Sequence, residues 1–414
     1  MSNPSTQKFP NSAIDRQPGN ESEFILAINA GSSSLKIALF SGLANPVRQW
    51  SGSIDRIGTA ESKFTLQRIG DPHRHTSVLT VPDHASCFEF LLGQLSEHGP
   101  AERFFATVHR VVHGGPNYSR PQRITAEFMD ELQRFRPLAS EHLPAEIDLI
   151  NLFRQRFPTM RQIACFDTAF HHDLPPLAQL LPIPRRYAKQ GIRRYGFHGL
   201  SYEFLLQELN RQAGSAAARG RLILAHLGNG ASLAAVREGR CIDTSMGFTP
   251  AAGLMMGTRS GDLDPGLVAH LGRSEGLTTE QFDQLINQQA GLLGISETSS
   301  DMQELLALEE TDSRAAEAIA MFCYQTKKWI GSYAAVLDGL DTLVFSGGIG
   351  ENCDGIRSRI CRGLSFLGIK IDDSLNSQQA AVISLPDSRV TVRVIKTDEE
   401  LLMAQSVYQF LEQS

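Results

Sequence analysis

Apolar and polar positions along the chain follow two periods, and short apolar runs come first. The runs FILAIN (24–29) and LKIALF (35–40) flank the turn AGSSS, and this pattern predicts a β-hairpin. A second pair, LILAHL and LAAV, flanks the turn GNGAS at 228–232 and predicts another hairpin. The likeness of the two units suggests an internal duplication. Two such hairpins also arise by chance in a chain of this size, so the duplication stays a hypothesis.

Helical periodicity replaces the short runs in six segments, near 124–136, 144–157, 201–213, 278–290, 314–338 and 399–412. The fifth of these leads directly into the strand-like run TLVFS and the turn GGIGEN. Strands that alternate with helices in this way predict an α/β architecture.

A chain of 414 residues is too long for one ordinary core, so we expect two domains. The Pro-rich stretch at 171–185 breaks regular structure and places the boundary between 23–172 and 173–398. The last helix, within 399–414, is expected to pack back on the first domain. The polar residues 1–22 are expected to form a disordered leader.

Composition limits the classes of partner. The net charge of −6 gives no general attraction to nucleic acid or to an anionic membrane. No segment has the run of apolar residues that a membrane span needs. The six cysteines form no C-x-x-C pair, which favours a reducing cytoplasm over a disulfide framework. An anionic substrate would therefore have to meet a local cluster of cations.

The first hairpin turn, NAGSSSLK (29–36), could bind an anion. Backbone N–H groups of a tight Gly/Ser turn form an anion-binding concavity, to which Ser32 adds a hydroxyl, with Asn29 and Lys36 on either side. The alternative is an ordinary polar turn. The chain contains neither G-x-x-x-x-G-K-[ST] nor G-x-G-x-x-G, so a nucleotide would need a different phosphate site from those motifs.

The segment HRVVHGG (109–115) suggests either a metal site or a cation aimed at an oxyanion. His109 and His113 are four residues apart, but the Val-rich context predicts a strand. On a strand the two histidines would be ~13 Å apart, too far for one metal ion. Arg110, near the end of this strand, is the stronger candidate, with an ordinary surface arginine as the alternative.

Four further segments carry candidate chemistry. Asp167 ends a predicted strand, and His198 lies between Phe197 and a glycine ahead of a helix. The loop 247–266 has several glycines together with Arg259, and its apolar residues argue against full exposure. In VFSGGIGEN (344–352) the glycines would let the backbone approach a flat group such as a purine ring.

Taken together, the motifs resemble the acetate kinase family over about residues 24–400. They are INAGSSSLK, HRVVHGG, FDTAFH, YGFHGLSY, HLGNGAS, DTSMGFTPAAGLMMGTRSGDLDPG and VFSGGIGEN. The resemblance implies two related actin-like (ribonuclease H-like) α/β domains that flank a nucleotide cleft. It also implies a homodimer that transfers phosphate from ATP to acetate with Mg²⁺ or Mn²⁺.

The resemblance assigns roles to individual residues. The active-site positions are Asp167, Arg110, His198 and Arg259. Arg110 also binds the substrate, with Val112, Phe197 and Pro250 around its methyl group. The nucleotide positions are Lys36, Ser32, His226, Gly228, Asn229, Gly230, Gly347, Gly348, Gly350, Glu351 and Asn352. Asn29 and Glu399 are the positions linked to the metal, which Asp167 is also expected to help hold.

Two departures from the family pattern bear on the substrate. The family's L-A-P-L-H is L-A-S-E-H here, so Glu141 replaces an apolar pocket residue. A carboxylate beside an anionic substrate is unfavourable unless it is paired or turned away. The family's T-N-E-E is T-D-E-E here, so Asp398 is expected to add negative charge near the metal. Propionate or butyrate therefore stays an alternative substrate, and a non-catalytic ATP-binding scaffold is the alternative of a different class.

Overall fold

The computed structural model describes residues 23–31, 34–59, 61–71, 73–98, 104–139 and 142–412. Two β-sheets organise them, and the strands of the first come before those of the second along the chain. In the first sheet the strand order is β5-β4-β3-β2-β1-β6-β8-β7. Its strands are β1 Phe24–Ala30, β2 Ser34–Ser41, β3 Val47–Asp55, β4 Ser62–Arg68, β5 His75–Leu79, β6 Phe104–Val111, β7 Gln122–Arg123 and β8 Arg161–Phe166.

The second sheet has the order β11-β10-β9-β12-β13. Its strands are β9 Leu222–Leu227, β10 Ala231–Arg237, β11 Arg240–Thr244, β12 Thr342–Ser346 and β13 Thr391–Val394. Strands β9, β10 and β11 are antiparallel neighbours, whereas β12 and β13 join β9 in parallel.

The same plan underlies both sheets. In the first, β1, β2 and β3 are antiparallel neighbours, and β6 and β8 join β1 in parallel. Each sheet therefore contains a three-stranded meander followed by two parallel strands on the side of its first strand. This shared topology confirms the predicted duplication, and it confirms the predicted class of two related α/β units. Both predicted hairpins are present, as β1–β2 and β9–β10.

Helices cover the sheets and fill the connections. They are α1 His84–His98, α2 Ala126–Phe135, α3 Leu143–Arg156, α4 Pro176–Gln179, α5 Gly199–Arg219, α6 Gly266–Ser274, α7 Thr279–Gln284, α8 Gly291–Ser296, α9 Met302–Leu308, α10 Ser313–Val336, α11 Gly347–Asn352, α12 Asp354–Cys361, α13 Asp373–Ser377 and α14 Glu399–Glu412. The six predicted helices correspond to α2, α3, α5, α7, α10 and α14. The segment predicted over 278–290 is divided, because a π-helical turn follows α7. No helix in the described part of the chain is long and apolar enough to cross a lipid bilayer.

Strand β1 is apolar apart from Asn29 because both of its faces are covered. Leu26 and Ile28 pack in one buried cluster, which includes residues of α1 and α3. Ile25 and Ala27 point to the other face and pack with residues of the C-terminal helix α14. The contacts of α14 with β1, β2, β6 and β8 put the last helix on the first sheet.

A third buried cluster connects the two sheets near the ends of their strands. It contains Val111 and Phe166 from the first sheet, Leu227 and Phe345 from the second, and Phe197 from the segment between them. The strand ends that carry the candidate chemistry therefore face one shared region.

One buried cation fixes the turn that follows β12. Arg357, in α12, is fully buried and has no carboxylate partner among the residues that the structure describes. Its guanidinium donates to the carbonyl oxygens of Gly350 and Glu351, each at 2.9 Å. It also donates to the side chain and backbone carbonyl of Asn376, at 2.7 and 2.9 Å. Arg357 therefore satisfies the carbonyl groups at the end of α11 and ties this helix to α13.

We expect Arg357→Ala to lower the free energy of unfolding by about 3 kcal/mol, because it leaves several buried carbonyl groups without a donor. The matched control is Arg359→Ala in the same helix. Arg359 is partly exposed and pairs with Glu309, so its loss should cost about 1 kcal/mol or less. Chemical denaturation of both variants measures the difference. Equal losses would contradict the role given to Arg357.

Candidate active site

Arg110 and Asp167 meet because β6 and β8 are neighbouring parallel strands. Arg110 is near the end of β6, opposite Cys165, and Asp167 directly follows β8. The guanidinium donates to both carboxylate oxygens, with Nε–Oδ1 at 2.9 Å and Nη2–Oδ2 at 2.5 Å. Burial lowers the pKa of Arg110, but the charge and hydrogen bonds of Asp167 help to raise it above its ordinary value. Arg110 is therefore always charged. This paired geometry is rigid and specific.

Asn29 and Glu399 complete this side of the site. Arg110 Nη1 donates to Asn29 Oδ1 at 3.0 Å, and Asn29 Nδ2 donates to Glu399 Oε2 at 3.1 Å. Glu399 Oε2 lies 4.0 Å from Arg110 Nε. Burial raises the pKa of Glu399 to about 7, and Arg110 partly offsets this effect. Three elements that are distant in sequence, β1, β6 and α14, therefore contribute to one polar cluster.

The cluster has the chemistry that magnesium requires. Asn29, Asp167 and Glu399 carry oxygen atoms, the ligands that Mg²⁺ prefers, and Mg²⁺ usually takes one or two carboxylates together with substrate phosphates. No group of three or more histidine, cysteine or acidic side chains in the described ranges is arranged to hold a metal by itself. The residues therefore fit an ion that phosphate oxygens and water help to bind.

Arg259 and His198 meet at Gly230, in the turn between β9 and β10. A Cβ atom built on Gly230 would lie 2.8 Å from Arg259 Nη2 and 3.1 Å from His198 Nε2. A side chain at this position would therefore crowd both Arg259 and His198. Arg259 is oriented by the carbonyl of Pro250, which accepts from Nη1 at 2.9 Å. Asn229, one residue earlier, has its Oδ1 atom 1.9 Å from where a Cβ of Gly257 would be.

His198 is held by a chain of hydroxyl groups. It precedes α5 in a left-handed conformation (φ 58°), and its Nδ1 lies 2.8 Å from Ser232 Oγ. Ser232 in turn lies 2.5 Å from the hydroxyl of Tyr202. Burial lowers the pKa of His198 well below its usual value, and His226, whose ring centroid is 4.4 Å away, lowers it further. His198 is therefore neutral, with Nε2 facing Gly230.

The two arginines act on the same pair of histidines. The charges of Arg110 and Arg259 both lower the pKa of His198, and both lower that of His142, although burial is the larger cause in each case. His142 and Arg259 line a cavity of about 380 Å³ together with Asn229, Pro250 and Ala139. The cavity therefore has walls from both halves of the chain, and Arg259 is the cation in its lining.

The three apolar residues assigned to the acyl group lie around this region. Val112 and Phe197 are buried in the cluster that joins the two sheets, and Pro250 lines the cavity. Glu141, the departure noted in the sequence, lies outside the described residues, as does Ser32. Asp398 binds the guanidinium of Arg48 and accepts from the backbone of Leu401 at 2.9 Å, so its charge is compensated.

The residues assigned to the nucleotide gather where β9 and β12 end side by side. Ser346 pairs with His226, and the Cβ position of Gly228 is 3.8 Å from the amide nitrogen of Gly348. Gly347 has a positive φ of 76°, and a Cβ there would lie 2.7 Å from the carbonyl oxygen of Leu227. Only glycine fits this position.

The remaining nucleotide assignments differ in their surroundings. Lys36 is exposed and pairs with Asn29 across the β1–β2 hairpin. Its charge acts to lower the pKa values of both His226 and Glu399. The Glu351 carboxylate accepts from the amides of Gly347 and Thr397, and Asn352 donates to the carbonyl of Gly348. Glu351 and Asn352 thus stabilise the turn, and Gly350 faces β9.

The two histidines of HRVVHGG have separate hydrogen-bond partners. His109 Nε2 lies 3.1 Å from Gln162 Oε1, and His113 Nδ1 accepts from the amide of Gly115 at 2.8 Å. Burial lowers the pKa of His109 to about 4 and that of His113 to about 3, so both are neutral.

Two residues of the site were missed in the sequence, His142 and Glu146. Glu146 is buried, and its Oε2 accepts from the amide of Val112 at 3.0 Å. A signal for it was available, because Glu146 lies on the helical stripe of Leu143, Ile150 and Phe153, where an acid is unusual. His142 is next to the departure at Glu141 and had no separate signal.

Comparisons with known proteins agree with this geometry. The model of the acetokinase family matches residues 24–405. An acetate kinase from Rhodopseudomonas palustris (strain TIE-1) is 41% identical over 396 residues, which is 94% of this chain and 99% of that one. A propionate kinase from Citrobacter rodentium (strain ICC168) is 42% identical over 389 residues, 92% of this chain and 96% of that one.

The fold agrees as well. The crystal structure of a propionate kinase from Francisella tularensis subsp. tularensis SCHU S4 superposes with a TM-score of 0.86 at 37% identity, covering 93% of this chain and 98% of that one. The family model and the order of the motifs point to one conclusion. The chain belongs to the acetokinase family, whose members are kinases that transfer phosphate to a carboxylate.

Proposed function

We propose that this chain transfers the γ-phosphoryl group of ATP to acetate, giving acetyl phosphate and ADP by direct in-line transfer. The observation that carries the proposal is that the charges of Arg110 and Arg259 both reach neutral His198, while Arg259 lines a cavity with residues from both halves of the chain. Acetate is the first substrate because relatives at 41% identity are named acetate kinase. Propionate is the second candidate, because a propionate kinase is equally similar.

The arginines would neutralise the two anions that have to meet. Arg110, fixed by Asp167, would bind the carboxylate, and Arg259 would bind equatorial oxygens of the transferring phosphoryl group. Phosphoryl transfer needs mainly positioning and charge stabilisation. The carboxylate is already ionised near neutral pH, so no general base is required.

His198 would supply a hydrogen bond rather than a charge. If Tyr202 donates to Ser232 and Ser232 donates to His198 Nδ1, the proton of the neutral ring is on Nε2. That N–H faces Gly230 and the phosphate-binding turn. Donors that are fixed before the reaction stabilise charge in the transition state at no cost of reorganisation.

Asn29, Asp167 and Glu399 would hold Mg²⁺ or Mn²⁺ with the phosphates of the nucleotide. When bound, the ion would neutralise phosphate charge. The turn at Gly228–Gly230 with Lys36 and His226 would take the phosphates. The glycines of α11 would let the adenosine approach the backbone of the second sheet.

The remaining features of the proposal concern the cellular compartment, the oligomeric state and the domain boundary. We propose a cytoplasmic homodimer that serves the synthesis of acetyl-CoA. All six cysteines are free and buried, which suits a reducing compartment. We also propose a domain boundary after residue 172, since the first sheet ends at Phe166 and the second begins at Leu222. Analytical ultracentrifugation would test the dimer.

An assay for acyl phosphate tests the proposed reaction. Wild-type protein incubated with ATP, Mg²⁺, hydroxylamine and acetate should form acetyl hydroxamate, and propionate and butyrate should be compared by kcat/KM. Acetate is expected to give the highest value. A higher value for propionate would move the assignment to the second candidate. No hydroxamate from any of the three acids would favour the non-catalytic scaffold.

Arg259→Ala should lower kcat by ~10²-fold or more, because it removes a preorganised cation from the transferring group. Arg110→Ala should have an effect of similar size, and it should also destabilise the fold, because Asp167 would be left buried and unpaired. The control is Arg273→Ala, an exposed arginine of α6. Turnover close to wild type in Arg259→Ala would refute its assignment.

A further inference from the structure

Glu146 lies where an acidic residue is least expected. It belongs to the first turn of α3, on the stripe that Leu143, Ile147 and Ile150 bury against the sheet, and its exposed fraction is 2%. Acidic side chains are almost never buried so completely without a cation or several donors. None of the roles assigned to the site residues explains why an acidic side chain is buried here.

A hydrogen bond to Glu146 supports the chain just beyond β6. This strand ends at Val111, and the N–H groups that follow bind side chains instead of a neighbouring strand. Val112 donates to Glu146 Oε2 at 3.0 Å, and Gly114 donates to Thr168 Oγ1 at 3.1 Å. Glu146 therefore holds the backbone of the residue that is assigned to the acyl pocket, two positions after Arg110.

Burial favours a neutral Glu146, although the charge of Arg110 acts in the opposite direction. Arg110 already faces the carboxylates of Asp167 and Glu399, and Glu146 also lies within range of its charge. A third carboxylate would compete with the substrate for this cation. The Oε1 atom of Glu146 is buried and has no hydrogen-bond partner among the described residues, which an ionised group would not tolerate well. Burial raises the pKa of Glu146 to about 8, in agreement with this view.

We infer that Glu146 is a positioning residue that sets acyl-chain specificity: its neutral carboxyl group fixes Val112 and thereby the wall against which the acyl chain packs. The inference rests on the proposed function, since it assigns Val112 to the substrate pocket. A neutral acid in this place anchors the backbone without drawing the charge of Arg110 away from the incoming carboxylate. Glu146 itself touches no reacting atom.

Three substitutions separate this role from general stability. Glu146→Gln keeps the acceptor and the shape of a neutral acid. Glu146→Ala removes the acceptor and opens space behind Val112. Glu146→Asp keeps the acid but shortens it by one methylene, so it tests the same contact if the alanine variant does not fold. The matched control is Asp148→Ala, an exposed acid of the same helix.

The measurements are KM for ATP, KM for the carboxylate, and kcat/KM for acetate, propionate and butyrate, each beside a thermal unfolding curve. Glu146→Ala should raise the KM for acetate about tenfold, the size expected from one lost hydrogen bond, and leave the KM for ATP unchanged. It should also raise the butyrate-to-acetate ratio of kcat/KM about tenfold, because the wall can yield to a longer chain. Glu146→Gln should restore both quantities to within about twofold.

Several results would overturn the inference. Equal increases in both KM values, or an unchanged butyrate-to-acetate ratio in Glu146→Ala, would indicate a structural role only. A glutamine variant as impaired as the alanine variant would show that the ionised acid is required. These outcomes differ from failure of the proposed function, in which the wild-type protein itself forms no acyl phosphate.

Discussion

Two like-charged groups have to approach each other in this site, and the structure meets that requirement with two guanidinium groups from distant parts of the chain. Arg110 comes from the end of a strand in the first sheet, and Arg259 from the long loop after the second meander. The charge of each arginine lowers the pKa values of the same two histidines, His142 and His198. Most other features of the site serve to place these two cations or to keep their charge available.

The supports differ because the two cations have different neighbours. Arg110 is held by a buried carboxylate, an arrangement that is strong only when both partners stay paired. Arg259 is held by the carbonyl of Pro250, which orients a cation without neutralising it. Thus Arg110 is fixed by an ion pair, whereas a backbone carbonyl helps to orient Arg259. The absence of a side chain at Gly230 gives Arg259 and His198 room to meet.

Much of this arrangement could be predicted from the sequence, because it depends on local pattern. The hairpins, the main helices and the strand ends that carry Arg110 and Asp167 follow from hydrophobic runs and turn residues. Contacts between distant segments could not be predicted in this way. The side chains of Glu399 and Asn29 are hydrogen-bonded although the two residues are 370 positions apart in the sequence. The packing of α14 on the first sheet brings them together. The same holds for the support that Glu146 gives to Val112.

The most direct measurement of the central claim is a double-mutant cycle between Arg110 and Arg259, read in kcat/KM for the carboxylate. Lysine replacements keep a charge at each site but remove the planar fork. If both guanidinium groups neutralise one transferring group, the two losses should be coupled by at least about 1 kcal/mol, with the double variant less impaired than the sum of the single variants. Strictly additive losses would mean that the two arginines act on separate events, and the account would be wrong.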